Sequence, residues 1–164
     1  MPFTPYHFGP SGFIGLALRK WIDVPVFILA NIIVDIEVLF YNHWPHHRYV
    51  HNLLMGAAAG VVWGILAYLA RPIFIKAMQF VRINYKANLI KMIVSGVLGI
   101  WLHIFIDSIY HYDVLVFWPS KVRPLWRILS QPEVVLWCKL SFIGVAVLYI
   151  FAVRSFNKQL KPAE

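Results

Sequence analysis

The sequence predicts an all-α, integral-membrane helical bundle, and three observations carry that expectation. Hydrophobic residues make up 60% of the 164 residues and charged residues only 13%, against roughly a quarter charged in soluble domains. Several apolar runs approach the roughly 20 residues that a bilayer-crossing helix needs. The Lys and Arg residues fall mostly between those runs, as positive-inside anchoring requires. The expectation is one membrane-embedded domain over residues 1–164 with four full spans, a short N-terminal half-span or re-entrant helix, and an interfacial helix.

Residues 1–8 contain two prolines and His7 and read as non-helical. Residues 9–20 form a short apolar helix ending in Arg19-Lys20; twelve residues cover roughly 18 Å, too little for a full span. Residues 21–41 give the first full-length segment, with Pro25 in its first turn and Asn31, Asp35 and Glu37 late in it. Residues 42–51 form a polar, aromatic loop holding four of the seven histidines. Residues 52–70 give a second span whose glycines and alanines permit close helix packing. Residues 71–91 are basic and amphipathic, as an interfacial helix requires. Residues 88–110 give the third span, 111–131 a Trp- and Pro-rich loop, 134–153 the last span, and 154–164 a polar tail. The single cysteine, Cys138, makes no intramolecular disulfide and no thiolate metal site. The N-terminus has no basic region of the kind that opens a removable signal peptide.

The net charge of +8 does not read as nucleic-acid binding, because no basic-aromatic pattern accompanies it. It sets sidedness instead. One side of the predicted bundle collects Arg19, Lys20, Arg71, Lys76, Arg82, Lys86, Lys91, Arg154, Lys158 and Lys161; the other collects Arg48, Lys121, Arg123 and Arg127. The first side, with the C-terminus, is expected to be cytoplasmic.

That topology sends the acids and imidazoles to the opposite side. Within the third span, His103, Asp107 and His111 are four residues apart and form one polar stripe, since such positions differ by only about 40° around a helix. Ionisable groups at membrane depth are costly and mark functional sites. The stripe shares its level with His7, with Asp35 and Glu37, and with His46, His47 and His51. Imidazoles and carboxylates without a usable thiolate suit a divalent metal, zinc first, with Mn or Fe also compatible. The candidate ligands are His7, Asp35, Glu37, His46, His51, His103 and Asp107. They exceed the needs of one tetrahedral ion, so one or two ions are expected. Asp35 and Glu37 lie about 200° apart on a helix, so either the helix breaks there or one of them is a general base rather than a ligand. Asp113 lies just past the stripe as an outer partner or a loop residue. Arg48 either binds an anionic substrate group or anchors the chain at the interface. Singly, each residue also has a structural explanation, such as a His103–Asp107 hydrogen bond between helices.

Read together, these residues resemble the membrane-bound metal-dependent hydrolases, also described as LexA-binding, inner-membrane-associated hydrolases. Four landmarks occur in that family's order across residues 1–119: His7; Asp35-Ile36-Glu37; His46-His47-Arg48-Tyr49-Val50-His51-Asn52; and His103 to Asp107 followed by Val116-Phe117-Trp118-Pro119. Three departures stand out. Val34 precedes Asp35 where Pro is common, and Glu37 replaces a second Asp. In the histidine loop an ungapped match pairs His46 with His51, whereas the alternative pairs His47 with His51. The family is distantly related to zinc-dependent phospholipase C and the zinc nucleases, which implies hydrolysis of a phosphoester.

The resulting expectation is an inner (plasma) membrane, multi-pass metallohydrolase whose site faces outward. Its expected partners are membrane lipids and a small-molecule or lipid phosphoester, with no nucleic acid. Asp35 or Glu37 would act as base, and Arg48 would bind the substrate. The alternative is a non-enzymatic metal-binding or metal-transporting membrane protein.

Overall fold

The computed structural model describes residues 4–37, 47 and 49–159. No strand occurs among the described residues. A 3₁₀ turn over Thr4–His7 leads into α1 (Phe8–Ala17), followed by α2 (Val24–Asp35), α3 (Leu53–Leu69), α4 (Arg71–Phe80), α5 (Leu89–Ser108) and α6 (Gln131–Gln159).

Three of these helices begin on side-chain caps that satisfy an otherwise unpaired backbone N–H. Asp23 accepts from Val26 N at 3.3 Å, Asn52 from Met55 N at 2.9 Å and Asn88 from Lys91 N at 2.9 Å. Pro25 sits in the first turn of α2 and Pro72 in that of α4, where a missing N–H costs nothing. Pro72 also marks the place where α3 cannot continue straight: α3 and α4 meet at 76°. Arg71 covers the corner, its guanidinium 4.6 Å from the Tyr68 ring.

The expected four full spans are corrected by helix length. Among the described residues two helices, α5 and α6, are long and apolar enough to cross a membrane; counting the bent α3–α4 pair as one broken span makes three. That number is compatible with membrane association. Of the expected span over 21–41, the described part is α-helical only over Val24–Asp35, 12 residues, about 18 Å of rise against a hydrocarbon core of about 30 Å; residues 38–41 lie outside the described residues. The chain leaves the helix where its acids begin. The helix expected over 9–20 is present as α1, 10 residues long, and the interfacial segment is helical only to Phe80.

Close packing rests on glycine. α3 lies against α5 through Gly56, Gly60 and Gly64 on one helix and Gly96 on the other; a Cβ on Gly60 would stand 2.5 Å from Val97 Cα. Gly99 lets α2 approach α5 in the same way, with Phe27 O at 2.5 Å from where its Cβ would be. Backbones this close gain dispersion contacts that lipid tails alone would not supply. α6 packs chiefly against α1 and leaves a long apolar surface exposed, including Leu136, Trp137, Ile143 and Phe151.

The two ends of the bundle are chemically different. At the end where α2 and α5 begin, Asp23 is fully buried. Its N–H donates to Ser95 Oγ at 2.6 Å and its Oδ2 accepts from Tyr85 Oη at 2.8 Å. Burial holds the Asp23 carboxyl above its ordinary value despite these donors. Nearby, Lys91 Nζ donates to Arg19 O at 3.0 Å. At the other end a cluster of Val34, Ile100, Ile104, Val114 and Val116 forms an apolar floor. The imidazoles and carboxylates gather above it.

Candidate metal centre

Four side chains from three regions of the chain converge above this floor. Asp35 is the last residue of α2, and His51 immediately precedes the Asn52 cap of α3. His103 and Asp107 lie one turn apart on α5. One nitrogen or oxygen from each of these four lies within 4.8 Å of every other. His103 Nε2 is 3.1 Å from both Asp35 Oδ1 and Asp107 Oδ2, and His51 Nε2 is 3.5 Å from Asp35 Oδ1. A tetrahedral ion with bonds of about 2.0–2.1 Å places its ligand atoms about 3.3–3.4 Å apart. These three separations bracket that edge length, and the remaining ones lie within 4.8 Å.

A second feature fits the same ion. His51 Nε2 is buried and has no hydrogen-bond partner among the described residues, although it faces Asp35. An unpaired buried polar atom is costly, and coordination would satisfy it. The His51 and His103 side chains are fully buried, whereas that of Asp35 is 21% exposed. Asp35 is therefore the open edge of the cluster, and the imidazoles are its wall. The donor set is nitrogen and oxygen without sulfur, which suits a divalent ion of the zinc type but does not select among them.

Around these four stands a layer that orients them. Glu37 Oε2 lies 3.0 Å from His51 Nδ1 and accepts from Val50 N at 2.9 Å; its Oε1 accepts from Tyr49 N. This carboxylate holds the His51 ring with Nε2 aimed inward, as outer partners of metal-binding histidines do. Burial opposes the Glu37 charge, but His51 and the two backbone donors outweigh it and hold the carboxyl below its ordinary value. Burial likewise works against His51, and the neighbouring carboxylates of Asp35 and Glu37 prevail, raising its imidazole above 6.5. On the far side, His7 Nε2 is 3.0 Å from Asp107 Oδ1, and its ring stacks on His103 with centroids 4.1 Å apart. Tyr110 Oη donates to the same Oδ1 at 2.8 Å. Ser11 Oγ donates to His7 O at 2.6 Å and accepts from Asn31 Nδ2 at 3.0 Å, which ties the N-terminal turn to α1 and α2.

Next to this group lie His47, His111 and Asp113. His47 Nε2 is 3.6 Å from Asp107 Oδ2, and its Nδ1 is 3.0 Å from Asp113 Oδ2. The ring centroids of His47 and His111 are 4.5 Å apart. Burial pushes the half-buried His111 imidazole down to about 4, so it is neutral with a lone pair at pH 7. Burial opposes the Asp113 charge, but His47 outweighs it and keeps that carboxyl well below the ordinary carboxylate range.

Of the expected ligands, Asp35, His51, His103 and Asp107 meet at one point. His7 lies against the outer oxygen of Asp107, and Glu37 stands behind His51. His46 and Arg48 lie outside the described residues. His47, the alternative in the histidine loop, lies within the cluster. Asp113, expected as an outer partner or a loop residue, is an outer partner of His47, and Tyr110 was not among the expected site residues. The signal available for Tyr110 was local: it stands next to His111 and three residues after Asp107. Comparison with protein-family models, with curated proteins and with solved structures finds no match.

Proposed function

We propose that the chain is a membrane-bound metal-dependent hydrolase that cleaves a phosphoester at the membrane face carrying the His/Asp cluster. The observation that carries this reading is the convergence of Asp35, His51, His103 and Asp107 at ligand spacing, with Asp35 as the exposed edge. The landmark resemblance of residues 1–119 supports the same reading. Asp35, His51, His103 and Asp107 would hold a divalent ion, zinc first. Such an ion lowers the pKa of water and polarises a phosphoryl oxygen. Glu37 fixes the His51 ring, His7 and Tyr110 fix Asp107, and the apolar floor excludes water from below.

The charge distribution supports an outward-facing site in the inner (plasma) membrane, with the C-terminus cytoplasmic. The location at headgroup level favours a lipid phosphoester, and a soluble small-molecule phosphoester has the same reactive group.

The test is hydrolysis by detergent-purified protein that has never met a chelator. Phosphomonoester and phosphodiester chromogens and short-chain phosphatidic acid are the substrates. Turnover should vanish with EDTA, return with Zn²⁺ or Mn²⁺, and be absent in His103→Ala and Asp107→Asn. Stoichiometric metal with no turnover on any of these substrates would replace the enzyme by a non-enzymatic metal-binding protein. Absence of bound metal would remove both.

A further inference from the structure

We infer that the cluster holds two divalent cations, with Asp107 as their shared ligand, and that His47 and His111 form the second site. This rests on the metal reading of the first site. One atom each of His47, Asp107 and His111 lies within 4.8 Å of the others, a group distinct from the first except for Asp107.

The way Asp107 is held makes it suitable for sharing. Its Oδ1 is occupied by His7 Nε2 at 3.0 Å and Tyr110 Oη at 2.8 Å. Its Oδ2 faces the other way, 3.1 Å from His103 Nε2 and 3.6 Å from His47 Nε2. One oxygen is fixed by neutral or cationic donors, and the other is presented to the imidazoles of both groups. The bond from His111 N to Asp107 O, at 2.8 Å, extends the turn beyond α5 and places His111 next to the stripe that His103 and Asp107 begin.

The second group repeats the construction of the first. In the first, Glu37 binds Nδ1 of His51 and leaves its Nε2 to face inward. In the second, Asp113 binds Nδ1 of His47 at 3.0 Å and leaves its Nε2 to face Asp107. Carboxylates placed behind imidazoles in this manner orient metal-bound rings. His47 and Asp107 are both buried, so the group is not a surface coincidence of exposed acids.

Charge gives an independent argument. Asp35, Glu37, Asp107 and Asp113 bring four carboxylates into this one cluster. Two dications match that charge; a single one leaves half of it for protonated imidazoles to balance. Paired cations of this kind clamp the attacking and leaving oxygens of a phosphoryl centre, so a bridged pair suits the phosphoester reading.

The test is metal content together with magnetic coupling, neither of which needs turnover. Protein purified without chelator and equilibrated with Zn²⁺ should carry two ions per chain by elemental analysis. His111→Ala and His47→Ala should each retain one. Loaded with Mn²⁺, the wild type should give an exchange-coupled electron paramagnetic resonance signal, and His111→Ala the six-line signal of an isolated ion. The wild-type Mn²⁺ spectrum keeps the test valid if a variant fails to fold. One ion per chain in the wild type, uncoupled with Mn²⁺ and retained in His111→Ala, would overturn the second site and leave the first intact. No bound ion in the wild type would overturn both.

Discussion

Glu37 and His51 form a carboxylate–imidazole pair at 3.0 Å, from Oε2 to Nδ1, so that the opposite nitrogen of the ring points at Asp35. Neither residue comes from the middle of a helix. Glu37 follows the end of α2 and His51 precedes the start of α3. The pair therefore joins two helix ends at the edge of the His/Asp cluster. It also explains why Asp35 and Glu37, two residues apart, do different work: one faces the cluster and the other backs it.

The first prediction concerns this pair. Glu37→Gln keeps the side-chain shape but removes the charge behind His51 and one of the two oxygens that accept from Tyr49 N and Val50 N. Zinc affinity should fall by about 10–100-fold, measured by competition with a chromogenic chelator, while the bound stoichiometry at saturating zinc stays that of the wild type. Unchanged affinity would show that Glu37 does not act through His51.

The second prediction is a pH dependence that reverses sign with metal. The His51 imidazole is raised above its ordinary 6.5, so the metal-free fold gains stability from its proton. That contribution is fully present below 6.5, the unfolded value, and is lost as pH rises through the higher folded value. Metal ligation requires the neutral ring, so affinity runs the other way and increases with pH over the same window. As pH rises above 6.5, through the raised folded value, the melting temperature of EDTA-treated protein should fall. The increment added by zinc should grow. Parallel curves with and without zinc would exclude His51 as a ligand.

A third prediction tests how far the site depends on helix packing. The Cβ introduced by Gly60→Ala would stand 2.5 Å from the backbone of Val97, so α3 must move away from α5. Overpacking of this kind costs about 1–3 kcal/mol. Gly15→Ala is the control, because its Cβ would meet only side chains of Val24, Phe27 and Ile28 at 3.6–3.8 Å. Thermal unfolding in detergent should separate the two variants. Zinc affinity should drop only in Gly60→Ala, since α3 carries His51 at its start and α5 carries His103 and Asp107.

The sequence made the site more legible than the fold. His103 and Asp107 were visible because helical periodicity puts them on one face regardless of what surrounds them. Asp35 and His51 followed from the expected topology, which places helix ends at one level. Glu37 was visible as a site residue, but its position behind His51 was not, because it depends on a chain reversal after Asp35 that periodicity does not describe. His47, His111 and Asp113 sit in loops and turns, where spacing alone does not fix direction. The length of α2 was misjudged for a related reason. Ile36 continues the apolar run of α2, and apolar composition alone does not mark where a helix stops. The bend at Arg71–Pro72 was easier to place, since proline acts through its own covalent geometry.

The shortness of α2 bears on the lipid beside it. α5 rises about 30 Å over its 20 residues, whereas α2 beside it rises about 18 Å. In a bilayer, lipid beside a helix this short would thin or tilt, and the last residue of that helix, Asp35, belongs to the His/Asp cluster. Membrane thickness would then bear on the cluster without changing any residue in it.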